Sequence, residues 1–221
     1  QRAAHQVHQE IPKHFAARLR QIEEVENWKQ DEDLVQIHTR YSMSFQEMRM
    51  TEVDEELVQF TDVVRRLKRR QRKVLPLFGS ALRRNHSAMT QEWLSKFLRS
   101  RISTEMLTAQ FLAIIQQMEQ GKPAITGIVD QECDPTVICQ NAVEASKAMC
   151  CQLLGMEPQV NIEVRTKRSH AFSYIPIYLH YILLEVLKNS CRATAMSALV
   201  SHSLLDPVAE KPVNVVICSD D

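Results

Sequence analysis

The stretch I-L-L-E-V-L-K-N-S-C-R-A-T, Ile182 to Thr194, decides how the second half of this chain folds. It sets Glu185, Lys188, Asn189 and Arg192 at i, i+3, i+4 and i+7, so four polar groups share one stripe of a helix whose other sides are apolar. Spacing alone leaves two readings open. In one, the stripe is solvated and pairs its own charges. In the other, the helix is buried, and desolvating a carboxylate, an ammonium and an amide is costly unless something polar meets them. A ligand then fits: the carboxylate suits activation of a hydroxyl or water, the amide oxygen suits Mg²⁺, and the two cations suit phosphate oxygens.

Outward from this helix, glycine, proline and short β-branched runs occur together from Gly121 onward, which predicts a second, mixed domain over 122–221. Ile125 to Val129, Val160 to Val164, Phe172 to Ile175 and Val213 to Cys218 are its expected strands. Asp134 and Pro135 make an N-cap and first-turn pair for a helix ending at Gly155, Pro176 opens the helix that holds the stripe, and Ser197 to Pro212 read as a loop. Residues 1–121 have apolar residues recurring at three and four. Ile11, Phe15, Leu19 and Ile22 line a first helix; Leu34, Ile37, Tyr41, Phe45 and Met48 a second. A third, from Asp54 to about Arg84, is kinked at Pro76, and a fourth runs from Met89 through Trp93, Phe97, Ile102, Met106, Phe111 and Ile114 to a stop at Gly121 and Pro123. Four long helices with short joins predict an antiparallel four-helix bundle.

Composition narrows the function. The 221 residues hold 27 basic and 27 acidic side chains, which gives no global pull toward nucleic acid, and no apolar run approaches the ~20 residues of a membrane span. Four glycines cannot build a P-loop or Rossmann phosphate loop. Six cysteines without a C-x-x-C pair read as reduced and structural, with Cys150 and Cys151 pointing apart around a turn. His5, His8 and Glu10 have metal-like spacing that chance explains. Seven of the nine residues from Arg65 to Lys73 are basic with no aromatic interleaved, which reads as a solvated face partly balanced by Glu52, Asp54, Glu55 and Glu56, or as steering toward an acidic partner. Trp93, Phe97 and the methionines read as core.

The run E-x-x-K-N-x-x-R-A-T, preceded by Y-I-P and L-H-Y, resembles the N box of the mitochondrial protein kinases, the pyruvate dehydrogenase kinase and branched-chain 2-oxoacid dehydrogenase kinase family. Upstream, I-T-G-I-V-D-Q-E-C-D-P (Ile125 to Pro135), S-R-I-S (Ser100 to Ser103) and H-Q-E-I-P (His8 to Pro12) extend the resemblance in order over nearly the whole chain. It implies an α+β chain: an N-terminal four-helix bundle over 1–121 that recognises the lipoyl-bearing partner, then over 122–221 the first part of a Bergerat-fold (GHKL) α/β ATPase domain. It implies transfer of the γ-phosphoryl group of ATP, with Mg²⁺, to a serine of a 2-oxoacid dehydrogenase complex. Glu185 matches the general base or polarising carboxylate, and Lys188 the network that tunes it. Asn189 matches the Mg²⁺ ligand, and Arg192 with Ala193 the nucleotide-contacting segment. The implied partners are the serine-bearing E1 component and the lipoyl domain of E2, with a homodimer at full length, in the mitochondrial matrix.

Departures from the family pattern set further expectations. The family completes its ATP site with an Asp-x-Gly-x-Gly segment and a glycine-rich lid, and no glycine follows Gly155, so this chain reads as the N-terminal part of a kinase that by itself binds ATP poorly. The alternative reading is a non-catalytic docking or dimerisation module. A histidine kinase, which shares the N box, would need a phosphorylatable His that the fourth helix lacks. Gln71, Glu105 and the pair Gln110-Phe111 replace a His, an Arg and a Gln-His pair of the family, while Arg101 is kept; a carboxylate at Glu105 disfavours the pyruvate-like acids that some members sense there.

Overall fold

The computed structural model describes residues 1–85, 89–122, 126–165, 171–202 and 212–218, with side chains in the fourth segment described through 198. The chain divides into two compact units, Gln1–Gly127 and Ile128–Asp221, and is mixed α+β with most of its order in helices.

Unit 1 holds α1 (Arg2–Glu23), α2 (Glu32–Met50), α3 (Val58–Gln71), α4 (Val74–Arg84) and α5 (Gln91–Glu119), with a short 3₁₀ turn at Trp28–Gln30. The expected third helix is thus two helices, and it begins at Val58 rather than Asp54. Pro76 supplies the reason. A proline ring in a continuous helix collides with the carbonyl four residues back, here that of Arg72, and the chain breaks at Arg72 and Lys73 so that Pro76 lies in the first turn of α4. The core gathers Ile11, Phe15 and Ile22 of α1, Tyr41 and Met48 of α2, Phe60 and Leu67 of α3, and Phe97 and Phe111 of α5. Phe78, Trp93 and Phe97 stack nearly parallel, with Phe78 and Phe97 centroids 4.5 Å apart.

On α5 the inward face differs from the expected one. Ile102 and Met106 are exposed, while Thr104 and Thr108 are buried. Counting from Phe97, positions 104, 108 and 111 fall on the core side. Each threonine hydroxyl can sit there because it donates to a carbonyl of its own helix: Thr104 to Arg101 and Thr108 to Thr104, both at 2.8 Å.

Two joints fix the helix ends. The Asp31 carboxylate accepts from the backbone N–H groups of Asp33 and Leu34 and so caps α2. It also receives the Arg84 guanidinium in a fork, at 3.0 and 2.7 Å, tying the start of α2 to the end of α4. At the other joint Gly121, at φ +64°, ends α5; beyond it Gln117 holds the backbone of Thr126 and Gly127, and Gln110 donates to the Thr126 carbonyl. This strapped turn is where a strand from Ile125 to Val129 is expected. Ile125 lies outside the described residues, and residues 126–129 form no strand because Gly127 takes φ +71° there.

Unit 2 holds β1 (Asp130–Cys133), α6 (Pro135–Leu154), β2 (Val160–Arg165), β3 (Phe172–Tyr174), α7 (Pro176–His202) and β4 (Val213–Cys218). Asp134 accepts from the Thr136 N–H, and Gly155 closes α6 in the left-handed region. β1 and β3 pair antiparallel. β2 and β4 pair parallel in register from Val160 opposite Val213 to Arg165 opposite Cys218, and a parallel pair needs a crossover, which α7 supplies. Val160, Ile162, Val213, Val215 and Ile217 pack on Cys139, Ala142 and Val143 of α6 and Leu187 of α7; the alternate residues face outward. α7 runs on to His202, through residues expected as loop, because nothing from Thr194 to His202 is a glycine or proline. Of the remainder of that expected loop, 203–211 lie outside the described residues and Pro212 is without regular structure.

Two outcomes follow. Arg84's hydrogen bond holds the Asp31 carboxyl down at about 2, against an ordinary 3.8. A depressed folded value means its contribution is present above about pH 4 and is lost as pH falls toward about 2. Asp31→Asn flattens that part of the acid-unfolding curve, measured by circular dichroism. A Cβ at Gly127 would collide with the Gln110 amide in a backbone conformation that L side chains resist, so Gly127→Ala destabilises unit 1 by about 1–2 kcal/mol, read by denaturant unfolding.

Candidate functional site

The stripe is oriented by what α7 buries. Leu187, Cys191 and Ala195 recur at four-residue steps and are buried in unit 2, where α6 and α7 pack along each other. Lys188 and Arg192 follow Leu187 and Cys191 by one residue and so stand beside that row, while the helix period sets Asn189 farther round, toward solvent. Lys188 is half-buried; Asn189 and Arg192 are exposed.

These three side chains line one cavity of about 340 Å³ whose other wall is Met149, Cys150, Leu153 and Leu154 of α6. That size is at the lower end for small-molecule sites. Glu185 does not line it. One turn before Asn189, Glu185 is half-buried and receives the Lys188 ammonium on both carboxylate oxygens at 2.6 Å. Lys188 therefore joins the cavity to the carboxylate and fixes the carboxylate's orientation. Ala193 is exposed and is not among the lining residues.

The two readings of the stripe thus meet: it pairs internally at Glu185 and Lys188, and it turns Asn189 and Arg192 onto a concavity. It is not sunk in a buried helix. Ile177, Tyr181, Ile182, Val186 and Met196 of α7 are exposed as well, so the helix has one apolar face inside and one outside. No group of three His, Cys, Asp or Glu side chains among the described residues could hold a metal. His8 packs edge-on against Phe60 and Glu10 pairs with Lys13, away from any common centre. Magnesium is usually held through one or two carboxylates plus substrate phosphates, and the Asn189 amide supplies one neutral oxygen donor on the cavity wall. Burial pushes the thiols of Cys133, Cys139 and Cys191 up, which keeps them protonated and unreactive. Cys150 is buried in the cavity wall while Cys151 is exposed.

In unit 1, Glu105 takes the Lys68 ammonium at 2.8 Å, and Gln71, largely buried, donates to Ser44 at 3.3 Å. The residue that sequence reading passed over is Arg18. It is fully buried, and its guanidinium lies 4.5 Å from the Tyr41 ring centroid and 5.0 Å from that of Phe15. Nη2 donates to Thr104 at 2.9 Å and Nε to the His14 carbonyl at 3.2 Å, while Nη1 makes no hydrogen bond among the described residues. No carboxylate among the described residues pairs with it. Burial lowers its proton affinity, yet an arginine still stays charged near neutrality. The signal was present: position 18 continues the inward series 4, 7, 11, 15, whereas Leu19 beside it is only partly buried.

Comparison with known proteins adds sequence-level kinship. The family model of the mitochondrial branched-chain alpha-ketoacid dehydrogenase kinase matches residues 1–130. The mitochondrial pyruvate dehydrogenase (acetyl-transferring) kinase isozyme 4 of Ictidomys tridecemlineatus is 29% identical over 206 residues, 84% of this chain and 50% of that protein. The human isozyme 4 is 30% identical over 73% of this chain and 41% of its own length. The mitochondrial pyruvate dehydrogenase kinase of Arabidopsis thaliana is 25% identical over 91% of this chain and 57% of its own length. The chain spans about half the length of the curated relatives it matches.

The buried guanidinium sets a test. Replacing a buried charge with an apolar side chain of similar volume is often neutral or stabilising. Arg18→Met leaves the thermal midpoint unchanged or raised, whereas Arg18→Ala opens a void and loses about 2–4 kcal/mol in denaturant unfolding.

Proposed function

The chain belongs to the family of mitochondrial branched-chain alpha-ketoacid and pyruvate dehydrogenase kinases, and on that premise we propose that it serves transfer of the ATP γ-phosphoryl group to a serine of a 2-oxoacid dehydrogenase complex. In this reading unit 1, a four-helix bundle whose third helix is broken at Arg72, engages the lipoyl-bearing partner. Unit 2 is the first part of a Bergerat-type ATPase domain. The setting in this reading is the mitochondrial matrix; the relatives' names, which call them mitochondrial, support the mitochondrion.

One observation carries the reading: Lys188, Asn189 and Arg192 share a cavity with Glu185 held beside it by Lys188. When bound, ATP with magnesium supplies the phosphoryl group and the neutralising cation. Asn189 would hold the magnesium through its amide oxygen, and Arg192 would meet phosphate oxygens from the same wall. Glu185 would accept the serine proton. The ammonium across both its oxygens positions that carboxylate and limits the rotamers it can take, which lowers the entropy lost on aligning it. Ala193, small and exposed, leaves room for close approach.

The measurement is phosphoryl transfer from labelled ATP to pyruvate dehydrogenase by the polypeptide extended through the family's glycine-bearing segments. Glu185→Gln cuts transfer by about 100-fold or more while Mg-ADP affinity stays within about threefold. Unchanged turnover removes Glu185 from the role of base. Titration calorimetry of the 221-residue chain with Mg-ADP decides the rest. Heat that Asn189→Ala abolishes places nucleotide on α7, and no heat from the chain leaves docking or dimerisation as its own activity.

A further inference from the structure

The basic run of α3 is largely exposed and borders one concavity. Arg65, Arg66, Lys68, Arg69 and Arg72 line one open groove of about 440 Å³ along α3, with Leu112 of α5 as an apolar patch in its wall. Asp62 is the one acid among the described lining residues, and it is engaged by Arg65 at 3.3 Å. Glutamates from neighbouring helices neutralise part of the run: Glu47 takes Arg66 at 2.7 Å and Glu105 takes Lys68 at 2.8 Å. Arg69 and Arg72 are exposed, and neither has a carboxylate partner among the described residues. The carbonyl end of α3 favours cations in its last turn. That field does not account for a concavity in which two guanidiniums stand unneutralised.

We propose that this groove docks an acidic polypeptide segment of a partner protein, with Arg69 and Arg72 pairing its carboxylates. Three features favour a polypeptide over a small phosphate. The cations run along the helix for about 10 Å instead of converging on one point. Four of the five are arginines, whose planar forks take carboxylates two-pronged and which protein interfaces use in preference to lysine. The Leu112 patch offers apolar contact that a phosphate cannot use. No aromatic side chain among the described residues lines the groove for a base to stack on, which disfavours single-stranded nucleic acid. The inference is independent of the kinase reading, since it rests only on unit 1.

The test uses the 221-residue chain and a blocked, alanine-rich helical peptide with glutamate at every fourth position, followed by titration calorimetry. The chain binds this peptide, and binding weakens about tenfold or more as salt rises from about 50 to about 300 mM. Arg69→Ala/Arg72→Ala weakens it about tenfold, while Arg2→Ala, a cation outside the groove, leaves it within about twofold. Circular dichroism checks that both variants keep the fold. Absence of binding overturns the proposal, as does equal binding of the peptide with glutamine in place of glutamate or indifference to the double substitution. Inorganic triphosphate or a single-stranded oligonucleotide that binds through Arg69 and Arg72 when the peptide does not overturns it too, and assigns the groove to that anion.

Discussion

The packing of α7 on α6 through Leu187, Cys191 and Ala195 is the constraint on which the candidate site depends. A helix has one rotation about its axis, and burying that row sets it. Lys188 and Arg192 then stand beside the row and Asn189 farther round, and all three line the cavity whose opposite wall is the end of α6. The same rotation sends Ile182 and Val186 outward. β2 and β4, parallel and in register, pack in one cluster with Leu187 and with α6, and α7 lies in the connection between them. Fold and site are therefore one arrangement in unit 2: a change that turned α7 by a residue would remove the cavity and the core together.

Unit 1 handles polar groups in a different way. Its interior holds a charged residue, met by other helices, and several hydroxyls that bond within their own helix. Thr104 and Thr108 return their hydrogen bonds to α5, and Ser44 donates to the Arg40 carbonyl on α2. Arg18 is held by aromatic faces and by Thr104 instead of a carboxylate. Carboxylates are spent near the surface, at Asp31 against Arg84 and at Glu47 against Arg66 and Arg70. The run from Arg65 to Lys73 is thereby neutralised unevenly, and the residues left over lie where α3 and α5 enclose a groove.

The parts legible in the sequence are those governed by neighbours along the chain. Asp134 with Pro135 and Gly155 bound α6 because capping is decided within a few residues, and the alternation of Val213, Val215 and Ile217 marks β4 because a pleat repeats every second residue. The less legible parts involve competition between elements. The apolar character of Ile102 and Met106 promised burial, but α5 can show the core only one face, and Phe97, Thr104 and Phe111 occupy it. Pro76 was visible as a disturbance, yet whether it would kink or break the helix depended on α4 finding its own packing against α2.

For the candidate site the division is similar. By itself the sequence determined that Glu185, Lys188, Asn189 and Arg192 share a stripe, because side-chain direction along a helix is a property of the backbone period. It could not say whether the stripe faces solvent, core or a concavity. Only the tertiary structure decided that three members line a cavity while Glu185 sits beside it in the grip of Lys188. The reason is physical: a cavity belongs to two surfaces, and its second wall, Met149 to Leu154, lies some forty residues earlier in the chain.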